Sequence, residues 1–280
     1  MATGSCLCGR VKFSVDGGGS NMTHCHCSMC RKSHGSLFAT YYDATKLRIT
    51  HGKDHIATYD SSPGCARTFC KHCGSPLPEQ SGNSDVASVP AGLMDDDPGV
   101  RPEAHIFVES LSSLYTITDS LPQREHYGDT DQSGVVEVPE PRVKEGVVTG
   151  GCLCGAVEFD VAGTPKMMMN CHCSRCRKVK GAAHATNLFV AGDQLTWVRG
   201  EDQLCDYAHP QANVFGHAFC RTCGSSLPRA RADGSLYNVP AGSLNQNPGG
   251  AAKGHIFMSS KAPWFAVTDD KPQWQEMPTY

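Results

Sequence analysis

Apolar and polar positions alternate with a period of two over much of the chain. Val11, Phe13 and Val15 alternate with Lys12 and Ser14, and Val157, Phe159 and Val161 alternate with Glu158 and Asp160. Side chains in an extended strand point to opposite faces in turn, so both runs predict half-buried strands. His105-Ile-Phe-Val108 and His255-Ile-Phe-Met258 predict a second matching pair, and Tyr115–Thr118 and Phe265–Thr268 a third, late pair. The run Met167-Met168-Met169 predicts a buried strand, since thioethers fill gaps in a core. With 29 glycines and 17 prolines the chain is punctuated too often for a four-turn amphipathic helix, so the expected class is mainly β with few short helices.

The matching pairs are part of a larger duplication. Cys6, Cys8, Cys25, Cys27, Cys30, Cys70 and Cys73 recur in order as Cys152, Cys154, Cys171, Cys173, Cys176, Cys220 and Cys223. Cys6 and Cys152 stand 146 positions apart, as do Cys30 and Cys176, whereas Cys70 and Cys220 stand 150 apart, so the second copy carries a four-residue insertion. A repeat this regular predicts two homologous domains, residues 1–128 and 147–280. Residues 129–146, acidic and proline-containing with no counterpart in either copy, read as a linker. The formal charge is −3, and fourteen thiolates around four divalent ions would make the chain more acidic still. No basic tail or stripe offsets this, so a nucleic-acid partner is not expected. No apolar run reaches the length of a membrane span, and the first residues lack a signal-peptide pattern, so the expected location is the cytoplasm.

Cysteine spacing sets the candidate chemistry. Cys-x-Cys and Cys-x-x-Cys pairs gather thiolates around one ion more readily than they pair as disulfides. Cys6, Cys8, Cys70 and Cys73 make one set of four soft donors, a closed structural site, and Cys152, Cys154, Cys220 and Cys223 repeat it. The remaining Cys25-His-Cys-Ser-Met-Cys30 and Cys171-His-Cys-Ser-Arg-Cys176 offer three thiolates each. Three donors leave a position for a ligand, unless a fourth arrives from elsewhere. His26 and His172 sit between two cysteines and are expected to point away from the ion, while Cys65 and Cys205 have no counterpart in the other copy. An open site with three thiolates carries a formal charge of −1, which suits activating a bound thiolate better than ionising water. Arg31, Lys32, Arg177 and Lys178 follow the third cysteines and are candidate anchors for substrate carboxylates, or a solvated basic turn. His105 and His255 recur and are candidate acid–base groups, or satisfied core residues.

Gly-x-Cys-x-Cys-Gly-x-Val-x-Phe (4–13 and 150–159), Cys-His-Cys-x-x-Cys-Arg-Lys (25–32 and 171–178) and Phe-Cys-x-x-Cys-Gly-Ser (69–75 and 219–225) resemble the glutathione-dependent formaldehyde-activating family, also called the centromere protein V family. The resemblance implies two tandem Mss4-like (β-tent) domains with two zinc ions each, up to four per chain. The quartets would be structural, and the trios Cys25, Cys27, Cys30 and Cys171, Cys173, Cys176 catalytic. It also implies an enzyme of the carbon–sulfur lyase class, with glutathione and formaldehyde or a related thio-adduct as small-molecule partners. The alternatives are a lyase or eliminating enzyme on a larger conjugate, and a non-enzymatic tandem zinc module that binds protein or chromatin. The family's closing Ser-Lys-x-Pro-Trp is kept in the second copy, making Lys261 a candidate catalytic residue and Trp264 a candidate substrate wall, but the first copy reads Ser110-Leu-Ser-Ser-Leu114. Phe38 against His184 and Asp95 against Asn245 add to the difference, so the two pockets are expected to be unequal. The oligomeric state is not legible.

Overall fold

The computed structural model describes residues 1–80, 84–127 and 140–278. Residues 129–139, most of the expected linker, lie outside the described residues. In the first half the strands are β1 (Ala2–Ser5), β2 (Lys12–Cys25), β3 (Ala39–His51), β4 (Ile56–Ser62), β5 (Cys65–Cys70), β6 (Glu79–Gln80), β7 (Val86–Pro90), β8 (Ala104–Ile106) and β9 (Gln123–Arg124), with helix α1 (Ser28–His34) between β2 and β3. They form one sheet in the order β6-β7-β3-β2-β8-β9 with β1 on β2, plus the hairpin β4-β5.

The second half comprises β10 (Val147–Gly151), β11 (Glu158–Ala162), β12 (Met167–Cys171), α2 (Ser174–Lys180), β13 (Ala185–Ala191), β14 (Leu195–Arg199), β15 (Leu204–Ala208), β16 (Gly216–Cys220), β17 (Ser226–Leu227), β18 (Arg229–Ala230), β19 (Leu236–Pro240) and β20 (His255–Ile256). What β2 and β3 span continuously is here divided into β11 with β12 and β13 with β14, so the sheet splits into β10-β11-β14 and β18-β19-β13-β12-β20. Gly163, at φ 68°, and Pro165, which has no N–H, interrupt the ladder between β11 and β12.

The alternating residues form the core as expected. Val11, Phe13, Val15, Val157, Phe159, Val161, Met168 and Met169 are all buried. The expected late strands at 115–118 and 265–268 are absent, and both segments are irregular. At the start of each segment the backbone bonds locally: Tyr115 N–H donates to the Ser112 carbonyl (2.9 Å) and Phe265 N–H to the Ala262 carbonyl (3.2 Å), closing turns rather than joining a ladder. The strands at His105 and His255 stop after Ile106 and Ile256, because Phe107 and Phe257 adopt φ of 57° and 59°.

The halves pack reciprocally. Helix α1 lies against the 3-10 turn Ala241–Ser243, and α2 against the turn Ala91–Leu93. These turns need glycine: a Cβ on Gly92 would come within 2.4 Å of the Ala182 nitrogen, and one on Gly242 within 2.4 Å of the Arg31 and Ser36 carbonyl oxygens. Lys32 Nζ donates to Asn245 Oδ1 (2.7 Å) and the Gly151 carbonyl (3.3 Å). Lys178 Nζ donates to Asp95 Oδ1 (2.6 Å), Ser5 Oγ (2.9 Å) and the Ser5 and Leu93 carbonyls (both 3.0 Å). Phe38 packs edge-on against His184 (5.4 Å between centroids), and Phe265 reaches His24 (5.9 Å) as well as His172 (5.9 Å). One apolar cluster therefore runs through both halves, containing Phe13 and Phe159 alike.

Candidate metal centres

Each quartet is assembled from two tight turns. Cys6 and Cys8 lie between β1 and β2, Cys70 ends β5, and Cys73 follows three residues on. The Sγ atoms of Cys6, Cys8, Cys70 and Cys73 lie within 4.8 Å of one another, as do those of Cys152, Cys154, Cys220 and Cys223. Backbone amides point into the sulfurs: Val11 N–H donates to Cys6 Sγ (3.3 Å) and Val157 N–H to Cys152 Sγ (3.2 Å). Ser75 Oγ accepts from Leu7 N–H (3.1 Å) while touching Cys73 Sγ (3.4 Å), which ties the two turns together, and Ser225 repeats this.

The trios sit where a strand enters a helix. Cys25 closes β2, Cys27 caps α1, and Cys30 lies in its first turn. The Cys27 sulfur accepts the Cys30 N–H (3.2 Å), doing what an N-cap oxygen usually does. Gly35 ends the helix in the left-handed conformation, with its N–H on the Arg31 carbonyl (2.7 Å). Cys171, Cys173 and Cys176 repeat the arrangement on α2, which ends at Gly181. Each trio's Sγ atoms lie within 4.8 Å of one another, and among the described residues no fourth Cys, His, Asp or Glu donor joins either group.

These donor sets fit a soft cation. Neighbouring S–H donors draw two thiols of each quartet toward the thiolate, Cys6 with Cys73 and Cys220 (lowered to about 7) with Cys223, and one of each trio, Cys30 in the first and Cys173, lowered to about 3, in the second. Such crowded, amide-decorated sulfurs are the donor chemistry that zinc takes. The quartets would hold it closed, and the trios would hold it with a position to spare.

Behind each trio runs a buried relay. His26 Nε2 lies 2.8 Å from His105 Nδ1, and His105 Nε2 lies 3.1 Å from the Asp119 carboxylate. His172, His255 and Asp269 repeat it at 2.8 and 3.0 Å. His26 and His172 are thus turned toward the relay, away from the sulfurs, and their Nδ1 atoms are buried without a partner. Burial, then His105 and Arg31, lowers His26 to about 3, so its ring is neutral. Both ring nitrogens of His105 and of His255 are engaged, so neither is free to meet a substrate.

Other expected site residues are placed differently. Lys32 and Lys178 are committed to the other half, so the expected carboxylate anchors are interface clamps. Arg31 Nε donates to the His26 carbonyl (3.2 Å) and braces the trio's own loop, whereas Arg177 Nε is buried without a partner. Trp264, only 2% exposed, belongs to the apolar core and is not a pocket wall. Lys261 Nζ donates to the carbonyls of Ala262 and Phe265, its own segment. Cys65 and Cys205 join neither quartet nor trio.

The surroundings of the trios are unequal. In the first half the Arg67 guanidinium lies 3.7 Å (Nη2) and 3.8 Å (Nη1) from Cys30 Sγ. Tyr41 shares its hydroxyl with His34 Nε2 (2.5 Å), and burial lifts Glu79 to about 7, with Arg67 opposing and Cys30 adding. In the second half the position of Arg67 is taken by His217, which bonds the Cys73 carbonyl (2.8 Å) across the interface. The position of Glu79 is taken by Arg229, paired with Asp206 at 2.5 and 3.0 Å. Phe215, Phe257 and Trp274 pack against the buried cluster that contains Cys171 and Cys176. Asp119 and Asp269 recur 150 positions apart, each fourteen residues after its histidine, a signal the repeat carried; Arg67 and Phe215 have no like counterpart and left none.

Comparison with known proteins agrees with this arrangement. The family model described as glutathione-dependent formaldehyde-activating enzyme matches residues 1–110 and again residues 147–260. A Halomonas elongata protein provisionally named a glutathione-dependent formaldehyde-activating enzyme is 37% identical over 87 residues, which is 28% of this chain and 54% of that protein. An uncharacterized lyase of Schizosaccharomyces pombe is 30% identical over 74 residues, covering 26% of this chain and 53% of the relative. The chain thus spans about half the length of these relatives. A crystal structure of a Rhodobacter sphaeroides protein, 30% identical, aligns with 39% of this chain and 99% of its own, with a TM-score of 0.31. With the motif set present twice and the family matched over most of both halves, the chain belongs to the glutathione-dependent formaldehyde-activating enzyme family, as two tandem copies of its domain.

Proposed function

We propose that this protein is a zinc-dependent carbon–sulfur lyase or synthase acting on glutathione, or a similar thiol, with formaldehyde or a related thio-adduct. The observation carrying this reading is the contrast between two four-cysteine groups and two three-cysteine groups that no other donor among the described residues completes. A zinc ion held by the three cysteines of a trio would supply a soft electrophilic position that favours release of a bound thiol's proton at neutral pH. In the synthetic direction the thiol sulfur bonds to the carbonyl carbon while the thiol proton passes to the carbonyl oxygen, giving R–S–CH2OH; the lyase direction reverses both changes.

The protein's part is positioning. The Asp119–His105–His26 relay and its counterpart fix the peptide between two ligands of each trio, and the caps of α1 and α2 fix the third. Arg67 offsets thiolate charge at Cys30 in the first site. The test is metal content together with turnover. The native protein is expected to carry four zinc ions and to speed exchange between glutathione with formaldehyde and S-hydroxymethylglutathione, followed by NMR. Two zinc ions per chain, or exchange no faster than the uncatalysed rate, would overturn the reading.

A further inference from the structure

Two open grooves occupy overlapping places in the repeat: Asp60, Cys65, Glu79 and Gln80 of the first correspond to Ala208, Phe215, Arg229 and Ala230 of the second. The first, about 590 Å³, is lined by Asp60, Cys65 and Glu79 among others, and Glu79 also feels the charge of Cys30. The second, about 750 Å³, is lined by Trp197, Phe215, Arg229 and Tyr237, and Phe215 packs against the buried cluster that contains Cys171 and Cys176. Phe215 thus links the second groove to that cluster.

Position by position the linings differ in kind. Trp197 pairs with Phe159 in the β-ladder where Ile49 pairs with Phe13, so Ile49 is its counterpart. Phe215 and Tyr237 stand where the first half has Cys65 and Ala87, at the 150-residue offset. All three rings that line the second groove thus stand at positions that are non-aromatic in the first half, where Cys65 alone of the three lines the groove and Ala87 is buried. Charge changes as well: Asp60 corresponds to Ala208, and Glu79 to Arg229. Trp197 and Tyr237 meet edge to face at 6.3 Å, leaving apolar ring surface on a half-buried wall. Flat apolar walls with a few charged groups at the edge are how proteins hold aromatic ligands with a polar end.

We propose that the two grooves sort substrates: the second receives a thiol conjugate carrying an aromatic body, ring against Trp197, Phe215 and Tyr237 and sulfur toward Cys171, Cys173 and Cys176, whereas the first excludes it. This rests on the reading of the trios as thiol sites and adds the substrate class of one of them.

The test is calorimetric titration of the full-length, zinc-loaded protein with S-benzylglutathione and with S-methylglutathione. Burying one phenyl ring is expected to make the benzyl compound bind about tenfold or more tightly, at one site per chain. Phe215→Leu, which keeps an apolar side chain but removes the ring, and independently Tyr237→Ala are each expected to reduce that preference severalfold, with circular dichroism confirming the fold. Equal binding of the two compounds, two equal benzyl sites per chain, or a preference unchanged in both variants would overturn the inference. Binding is read without turnover, so the two readings fail separately: formaldehyde exchange without an aryl preference sinks only this inference, and an aryl preference without exchange sinks only the proposed reaction.

Discussion

Acid should destabilise this protein through histidines buried in neutral form. His34, His184 and His217 are 1, 2 and 4% exposed. Burial is the leading cause in each case, and it lowers their pKa values to about 4, 3 and 3. In the unfolded chain a histidine titrates near pH 6.5, so below that value the unfolded state binds protons that the folded state refuses. The stability these residues allow is therefore complete above pH 6.5 and drains away as pH falls toward the folded values. Between pH 7.5 and 5.5 one such histidine costs about 1.4 kcal/mol, and the three together about 4 kcal/mol, set against a total stability of about 5–15 kcal/mol for a typical domain. The sharpest variant is His184→Phe, because the first half already carries Phe38 at that place and the two rings meet at 5.4 Å. Urea unfolding at the two pH values should show the wild type losing about 1.4 kcal/mol more than the variant. The cysteine clusters also take up protons on acidification, but equally in both proteins, so the difference isolates His184. An identical loss in the two would refute the assignment of neutral burial.

The clusters should separate by metal content and stability. Cys70→Ser is expected to lose one zinc and to lower stability by several kcal/mol, because a metal that closes distant turns contributes its binding energy to folding, while Cys27→Ser is expected to alter its site's metal with a much smaller change in unfolding midpoint; calorimetry with metal analysis distinguishes them. Lys178→Ala removes a donor from Asp95, Ser5 and Leu93 and should cost about 2–3 kcal/mol in urea titration, more than Lys32→Ala with its two acceptors. Gly242→Ala forces a methyl group into backbone atoms 2.4 Å away and should cost about 3 kcal/mol or more, whereas alanine at Gly234, with open space around it, should cost only its left-handed strain of about 1 kcal/mol.

The metal centres were legible because their geometry is local. Cys-x-Cys and Cys-x-x-Cys bring sulfurs together by turn geometry alone, and the helix that follows Cys27 starts on that same sulfur. The half-buried strands were legible because one residue slip would invert every side chain. Tyr115–Thr118 and Phe265–Thr268 alternate equally well but form no strand, since alternation does not record where the amide protons go. Lys32 and Lys178 illustrate the other limit. Beside a thiolate cluster they resemble substrate anchors, and only the carbonyls of Gly151 and Leu93, brought from the other half, show what they bind. Trp264 failed for the same reason, because its walls come from residues distant in the chain.

The distribution of differences between the copies follows from how the halves are joined. The interface uses the helices that carry the trios, the glycine turns facing them and the paired lysines, so a change at any of these would disturb both centres at once. The groove positions are independent of it: Ile49 and Trp197, Cys65 and Phe215, Ala87 and Tyr237 lie on strands or strand-edge turns, and among the described residues their side chains make no hydrogen bond across the halves. Substitutions at sites that share no partners add without coupling. One groove can therefore gain rings while Lys32 and Lys178 keep their partners across the halves. This separation lets the two halves keep matching cysteine trios while their grooves are lined differently.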